Sequence, residues 1–398
     1  MTRRWELDAL RGLMLVLMTL THLPTRLSSP AGQPFGFVSA AEGFVLLSAF
    51  TAGMVYGRLA RKKGIDAMRE AFWKRALKVY ACHAATLLFL FTVIAGLGLR
   101  IDQPAVTNLM AFYLAEPTAA LLTSLLLIYA PPLLDILPMY IVFMLASPWV
   151  LAHGLRHGWV GIMTVSVGLW VLAQFGLGEW IHRAAVMWVG LPVPFTETGS
   201  FATFAWQFLW VLGLWMGASR TGRLVQPFKF PPWAVVAGIV LAMVGLVWRH
   251  WQGQLPFPDA NNVWNLPFDK WQLGPLRLIN LFALMIVVMH FSPLLKRRLP
   301  RMRWLEKLGA ASLPVFCAHL VVVLLVLTFF GADPTLRPAW LDGLLLAGCF
   351  AALLVVARIT LRLDRRQGLK AVSAAAGSRL AAATGLPQQA QAPADARQ

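Results

Sequence analysis

The sequence predicts an all-α polytopic membrane protein, and three observations carry that prediction. Hydrophobic residues make up 58% of the 398 residues and charged ones only 13%. The mean hydropathy is +0.65. Apolar runs long enough to cross about 30 Å of hydrocarbon recur along the chain. About ten transmembrane helices are expected, at residues 9–27, 36–56, 79–98, 131–152, 159–176, 201–218, 232–249, 273–293, 309–330 and 339–361. Asn108 to Tyr129 is also apolar, but Glu116 and Pro117 break it. Residues 104–130 therefore read as a re-entrant or interfacial segment, or else as an eleventh span.

Loop charge tests that count. Cations crowd alternate connections: Arg58 to Lys78, then Arg156, then Arg220, Arg223 and Lys229, then Lys296 to Lys307. The other connections and helix ends hold scattered ones, namely Arg26, Arg100, Arg183, Arg249, Lys270, Arg277 and Arg337. This is a positive-inside pattern with both termini cytoplasmic, and it requires an even number of spans. The net charge of +18 is thus topological, and no nucleic-acid partner is implied. Arg3 and Arg4 before the run Leu13 to Leu20 mimic a signal peptide, but Asp8 and Arg11 interrupt it, so the first helix is expected to stay in the mature protein. Residues 1–362 read as one membrane domain. Residues 363–398, rich in Ala, Gly, Gln and Pro, read as a disordered or weakly helical cytoplasmic tail. Cys82, Cys317 and Cys349 lie in apolar runs without ligand spacing, which predicts packing roles, no disulfide framework and no metal site. No Walker, GxGxxG or kinase signature is present, and no internal repeat.

The first span is the most informative. Of the ten residues between Arg11 and His22, seven are Leu, Met or Val, so two costly side chains bracket an apolar run. Eleven helical steps of about 100° return His22 to the face of Arg11, roughly 16 Å away along the axis. Asp8 falls near the same face, giving a polar stripe of Asp8, Arg11 and His22. Intramembrane polar groups default to function; an Asp8–Arg11 pair at the cytoplasmic rim is the plainer alternative.

Alternating helix directions place Glu42 and Asp135 in the outer half with His22. A carboxylate beside a histidine fixes its tautomer and stabilises the imidazolium, as a general base acting on a hydroxyl requires; helix capping explains both carboxylates otherwise. His319 sits mid-span, where catalysis and core packing explain it equally. His83, His250 and His290 are expected near span ends, bonding backbone groups or snorkelling. Trp206 and Gln207, beside an outer loop containing Glu197, suit a sugar face, although an interfacial Trp is commoner. The basic loop Arg58 to Lys78 suits either the phosphates of a nucleotide carrier or anionic lipid.

These residues resemble a known family. Leu7-Asp8-Ala9-Leu10-Arg11-Gly12 followed by His22 is similar to the Arg-ten-residues-His signature of the integral-membrane acyltransferase 3 superfamily. The segments Phe35 to Val45, Asp135 to Tyr140 and Leu313 to His319 resemble OpgC proteins more specifically, with the similarity spanning roughly residues 1–360. The resemblance implies about ten helices enclosing a pore in a bacterial inner membrane. It implies acyl-CoA, in OpgC proteins succinyl-CoA, as a co-substrate from the cytoplasm with no tightly bound cofactor. The acyl group would pass to hydroxyls of a periplasmic glucan or other carbohydrate. Arg11 then matches the donor-binding arginine and His22 the catalytic histidine, with glucan-synthesis proteins as possible partners. Leu47-Ser48-Ala49-Phe50 departs from the superfamily's Ser-Gly-Phe, and the extra methyl predicts tighter packing. Two rivals stand beside this reading. A proton-coupled secondary transporter would also bury Asp, Glu and His, but lacks its expected half-chain repeat. A non-catalytic accessory subunit of a glucan synthase would bind polymer without turnover.

Overall fold

A computed structural model describes residues 5–220, 229–257, 259 and 262–384, with side chains to residue 367. Among these the chain is helical and contains no strand. The principal helices are α1 (Trp5–His22), α2 (Ala40–Lys63), α3 (Ile65–Ile101), α4 (Ile136–His157), α5 (Val160–Gln174), α6 (Leu177–Val189), α7 (Thr203–Ser219), α8 (Pro232–Gln252), α9 (Pro275–Arg298), α10 (Arg303–Ala310), α11 (Ser312–Phe330) and α12 (Ala339–Thr384). Every expected span falls on one of them.

Seven helices are long and apolar enough to cross a membrane, or up to nine if two bent pairs are each one span. The chain is a multi-pass membrane protein, but the expected count of about ten is not reached by that measure. The reasons are local. α1 carries Glu6, Asp8 and Arg11 within eighteen residues, and α7 stops after seventeen. The span expected at 159–176 is α5, whose fifteen residues cover only about 22 Å; the chain then bends by 77° into α6. Gly176, at φ +84°, makes that corner. The ambiguous 104–130 region folds as Pro104–Ala115 and Pro117–Leu125, bent by 93°. Pro117 forces the break, because a residue before proline is pushed out of helical geometry, and Glu116 sits at φ −133°, ψ 68°.

The basic segment expected as a loop is two helix ends. Arg61, Lys62 and Lys63 form the last turn of α2, and α3 begins one residue later. Gly64, at φ +90°, is the whole connection. α12 continues past the tail boundary expected at 362 as far as Thr384. Arg3, Arg4, Arg223 and the tail beyond Thr384 lie outside the described residues.

Small residues set the closest helix crossings, as they do where lipid rather than water surrounds a bundle. α1 crosses α10 at Gly12 and Gly309: a methyl on Gly12 would collide with the Leu305 carbonyl oxygen, and one on Gly309 with the Asp8 carbonyl oxygen. α2 and α7 approach through Gly53, Gly213 and Gly217. Ala49, the departure noted above, is fully buried there against Gly213, consistent with the tighter packing expected. α1 also packs on α2 and α11, and α3 on α4 and α11. These contacts surround the polar side chains described next.

Candidate active site

The polar stripe of α1 meets the start of α11. Arg11 donates from its guanidinium to the Ser312 hydroxyl. Eleven residues on, His22 Nδ1 lies 3.1 Å from His319 Nε2. His319 Nδ1 is 2.6 Å from the Phe316 carbonyl oxygen, so that nitrogen must carry hydrogen and donate. Nε2 of His319 is then the acceptor, and His22 donates to it from Nδ1. The tautomer follows from the network: the basic nitrogen of His22 is Nε2. His319 thus touches His22, 297 residues away, and lines none of the chambers described below, where a substrate-binding residue would be expected.

His22 lines a chamber of about 310 Å3, on the side that the cation pattern predicts to be outer, together with Thr21, Ser39, Asp135, Phe201, Lys270 and Trp271. Asp135 accepts from the Ser200 amide at 3.2 Å. A second cavity of about 510 Å3 adjoins through Thr21, Gly32, Lys270 and Trp271, and adds Gln33, Gln254, Asn262, Asn265, Asp269 and Arg277. Amide side chains and an exposed indole are what a sugar surface requires.

Lys270 and Trp271 were not singled out as site residues from the sequence. Their loop, residues 269–274, is bolted in place. Trp206 donates from Nε1 to the Trp271 carbonyl at 3.0 Å, and Trp170 to the Leu273 carbonyl at 3.0 Å. Gln174 donates to the Gln272 carbonyl at 2.7 Å, and Asp269 Oδ1 accepts the Gln272 amide at 2.7 Å. Leu273 adopts φ +51°, a left-handed turn that such over-determination sustains. The available signal was Lys270-Trp271 itself, a cation and an indole side by side just before a span.

On the other side, Arg11 lines an inner chamber of about 280 Å3 with Ser48, Tyr56, Arg75, Lys78, Tyr140 and Ser312. Arg75 and Lys78 come from the basic segment whose cations suited either phosphate or lipid. The structure turns these two toward Arg11.

Other expectations are corrected. Glu42 does not reach His22 as an orienting carboxylate: fully buried, it accepts from Arg277 and closes a capping box with Ser39 at the start of α2. Trp206 offers no face to sugar, since it is fully buried with its N–H spent on the Trp271 carbonyl; the exposed indole is Trp271. Gln207 is used between Ser166 and the Phe204 carbonyl, outside both chambers. Asp8 is buried where α1 crosses α10 and lines neither chamber. His83 is fully buried in the interior of α3, not near an end; α3 starts at Ile65, well before the apolar run that set the expected boundary. His250 does bond backbone, at 3.4 Å from the Pro34 carbonyl oxygen.

No curated protein and no solved structure matches the chain. A family model does: the one described as OpgC protein matches residues 3–365. That match covers every residue of both chambers and of the histidine pair, and on it the chain belongs to the OpgC family.

Proposed function

We propose that this protein is an inner-membrane O-acyltransferase that moves an acyl group, succinyl in the first instance, from cytoplasmic acyl-CoA to hydroxyls of an osmoregulated periplasmic glucan. Membership links the chain to modification of such glucans by a transferase. The observation that carries the reading is α1 itself. One helix presents Arg11 to an inner chamber rich in cations and His22 to an outer chamber that holds the Trp271 indole and adjoins a cavity lined by amides.

The chemistry follows from the tautomer. His22 Nε2 takes the proton of a sugar hydroxyl as that oxygen attacks the thioester carbonyl. The imidazolium keeps its Nδ1–H on His319 Nε2, whose own lone pair stabilises the charge. Collapse of the tetrahedral adduct breaks the carbon–sulfur bond and releases CoA thiolate, and the proton on His22 returns to sulfur. Arg11, Arg75 and Lys78 hold phosphate oxygens of the carrier in the inner chamber, Arg11 through paired hydrogen bonds. The carrier stays on the cytoplasmic side, and only its pantetheine arm extends along α1 toward His22.

The test is thioester turnover by purified protein with succinyl-CoA and glucan. His22→Ala should lower kcat by at least about 10²-fold, the scale of a lost general base, with folded yield unchanged. His319→Ala should also lower kcat, by less, and leave the KM for acyl-CoA near its wild-type value. Near-normal turnover by His22→Ala overturns the assignment, and turnover absent from wild type while substrate flux persists favours a transporter.

A further inference from the structure

Lys270 is a cation without an anion. It borders both outer cavities. Among the described residues its ammonium makes no hydrogen bond or ion pair; its neighbours are the ring faces of Trp271 at 4.3 Å and Phe201 at 5.6 Å. Three carboxyl groups act on it electrostatically, Glu42, Asp135 and Asp269. Each is already held: Glu42 by Arg277 and Ser39, Asp135 by the Ser200 amide, Asp269 by the Gln272 amide. Burial pushes the Lys270 ammonium below its ordinary value, and the carboxylates offset this only in part. A charge kept at that cost, on a loop fixed by Trp206, Trp170 and Gln174, fits a ligand group of opposite sign.

The chamber says which end of which ligand. His22 and Lys270 line the same cavity of about 310 Å3, so a thioester whose carbonyl stands at His22 carries the far end of its acyl chain in that space too. A neutral acyl tail would leave the ammonium unanswered. A tail ending in carboxylate would form a charge-assisted hydrogen bond under two aromatic faces, where water competes poorly. We propose that Lys270 is the specificity residue for the acyl group, receiving the free carboxylate of a dicarboxylic monoacyl thioester and so selecting it over a neutral acyl chain of equal length. This rests on the acyl-transfer reading above.

Succinyl-CoA and butyryl-CoA share a four-carbon acyl chain and differ in the terminal carboxylate. The measurement is kcat/KM for each donor, followed by CoA release and glucan mass, with full-length protein in proteoliposomes and glucan extracted from a deletion strain. Wild type should prefer succinyl-CoA. Lys270→Met should lower the succinyl-to-butyryl ratio roughly 10- to 100-fold, the span of one hydrogen bond to a charged group. Lys270→Arg, which keeps the charge and controls for folding, should retain most of the preference. An unchanged ratio in Lys270→Met overturns the inference while leaving acyl transfer standing. An equal fall for both donors also overturns it, and assigns Lys270 to the acceptor or to the fold. Transfer of neither group by wild type overturns the acyl-transfer reading and this inference with it.

Discussion

Arg11 and His22 were legible because one helix carries both, and helical spacing alone puts them on one face. Their partners were not. His319 lies 297 residues from His22 and Arg277 lies 235 from Glu42, separations over which no periodicity speaks. A carboxylate in the outer half looked like the natural companion for the histidine. The capping box shows why Glu42 is unavailable: Ser39 and Glu42 satisfy the first amides of α2 reciprocally, and Arg277, 1% exposed, donates from Nε to the other carboxylate oxygen. A buried pair of this kind is costly to break from one side, because the survivor is an uncompensated charge. Glu42→Gln and Arg277→Met should therefore each lower stability by about 3–5 kcal/mol, and the double variant should recover part of that loss. Thermal unfolding in detergent measures it. Loss of turnover in Glu42→Gln at wild-type stability would restore Glu42 to the chemistry.

Element existence was easier to read than element geometry. Each expected span coincides with a helix because apolar composition at that length admits little else in lipid. The bends at Gly176 and Glu116–Pro117, and the single-glycine joint at Gly64, depend on backbone angles that hydropathy does not encode. Helix crossings are similarly hidden. Gly12 reads as one small residue in an apolar run, yet its contact is the backbone of α10. Gly309→Ala should lower stability by about 1–3 kcal/mol, the scale of overpacking in a rigid core, and should raise the KM for acyl-CoA by displacing Arg11 beside Gly12. Gly168→Ala in α5 is the control: nothing lies within 4 Å of its Cβ position, so only helix propensity acts, stabilising by about 0.5–1 kcal/mol. Equal behaviour of the two variants would show that the crossing is not close-packed.

At the scale of the whole molecule, charge asymmetry was legible and the chambers were not, since each is assembled from segments hundreds of residues apart. Both nevertheless agree on orientation. The inner chamber holds Arg11, Arg75 and Lys78, on the side where the joint between α2 and α3 and the connection from α9 to α10 concentrate basic residues, and cytoplasmic loops carry that excess. The cavity adjoining the outer chamber draws Gln33, Asn262, Asn265 and Trp271 from the opposite ends. The two bent pairs decide whether this holds together. If Pro104–Ala115 and Pro117–Leu125 turn back without crossing while α5 and α6 complete a crossing, the segment between Lys63 and Arg298 contains an even number of spans. Reporter fusions after Lys63, His157 and Arg298 should then read as cytoplasmic, and those after Gln103 and Asn262 as periplasmic. The His157 fusion isolates the first bent pair, because a crossing there would export it. The Asn262 fusion isolates the second, because a re-entrant α5–α6 would retain it in the cytoplasm. Either result would place the two chambers' chemistry on sides that the cation pattern contradicts, and the donor route along α1 from Arg11 to His22 would have to be abandoned.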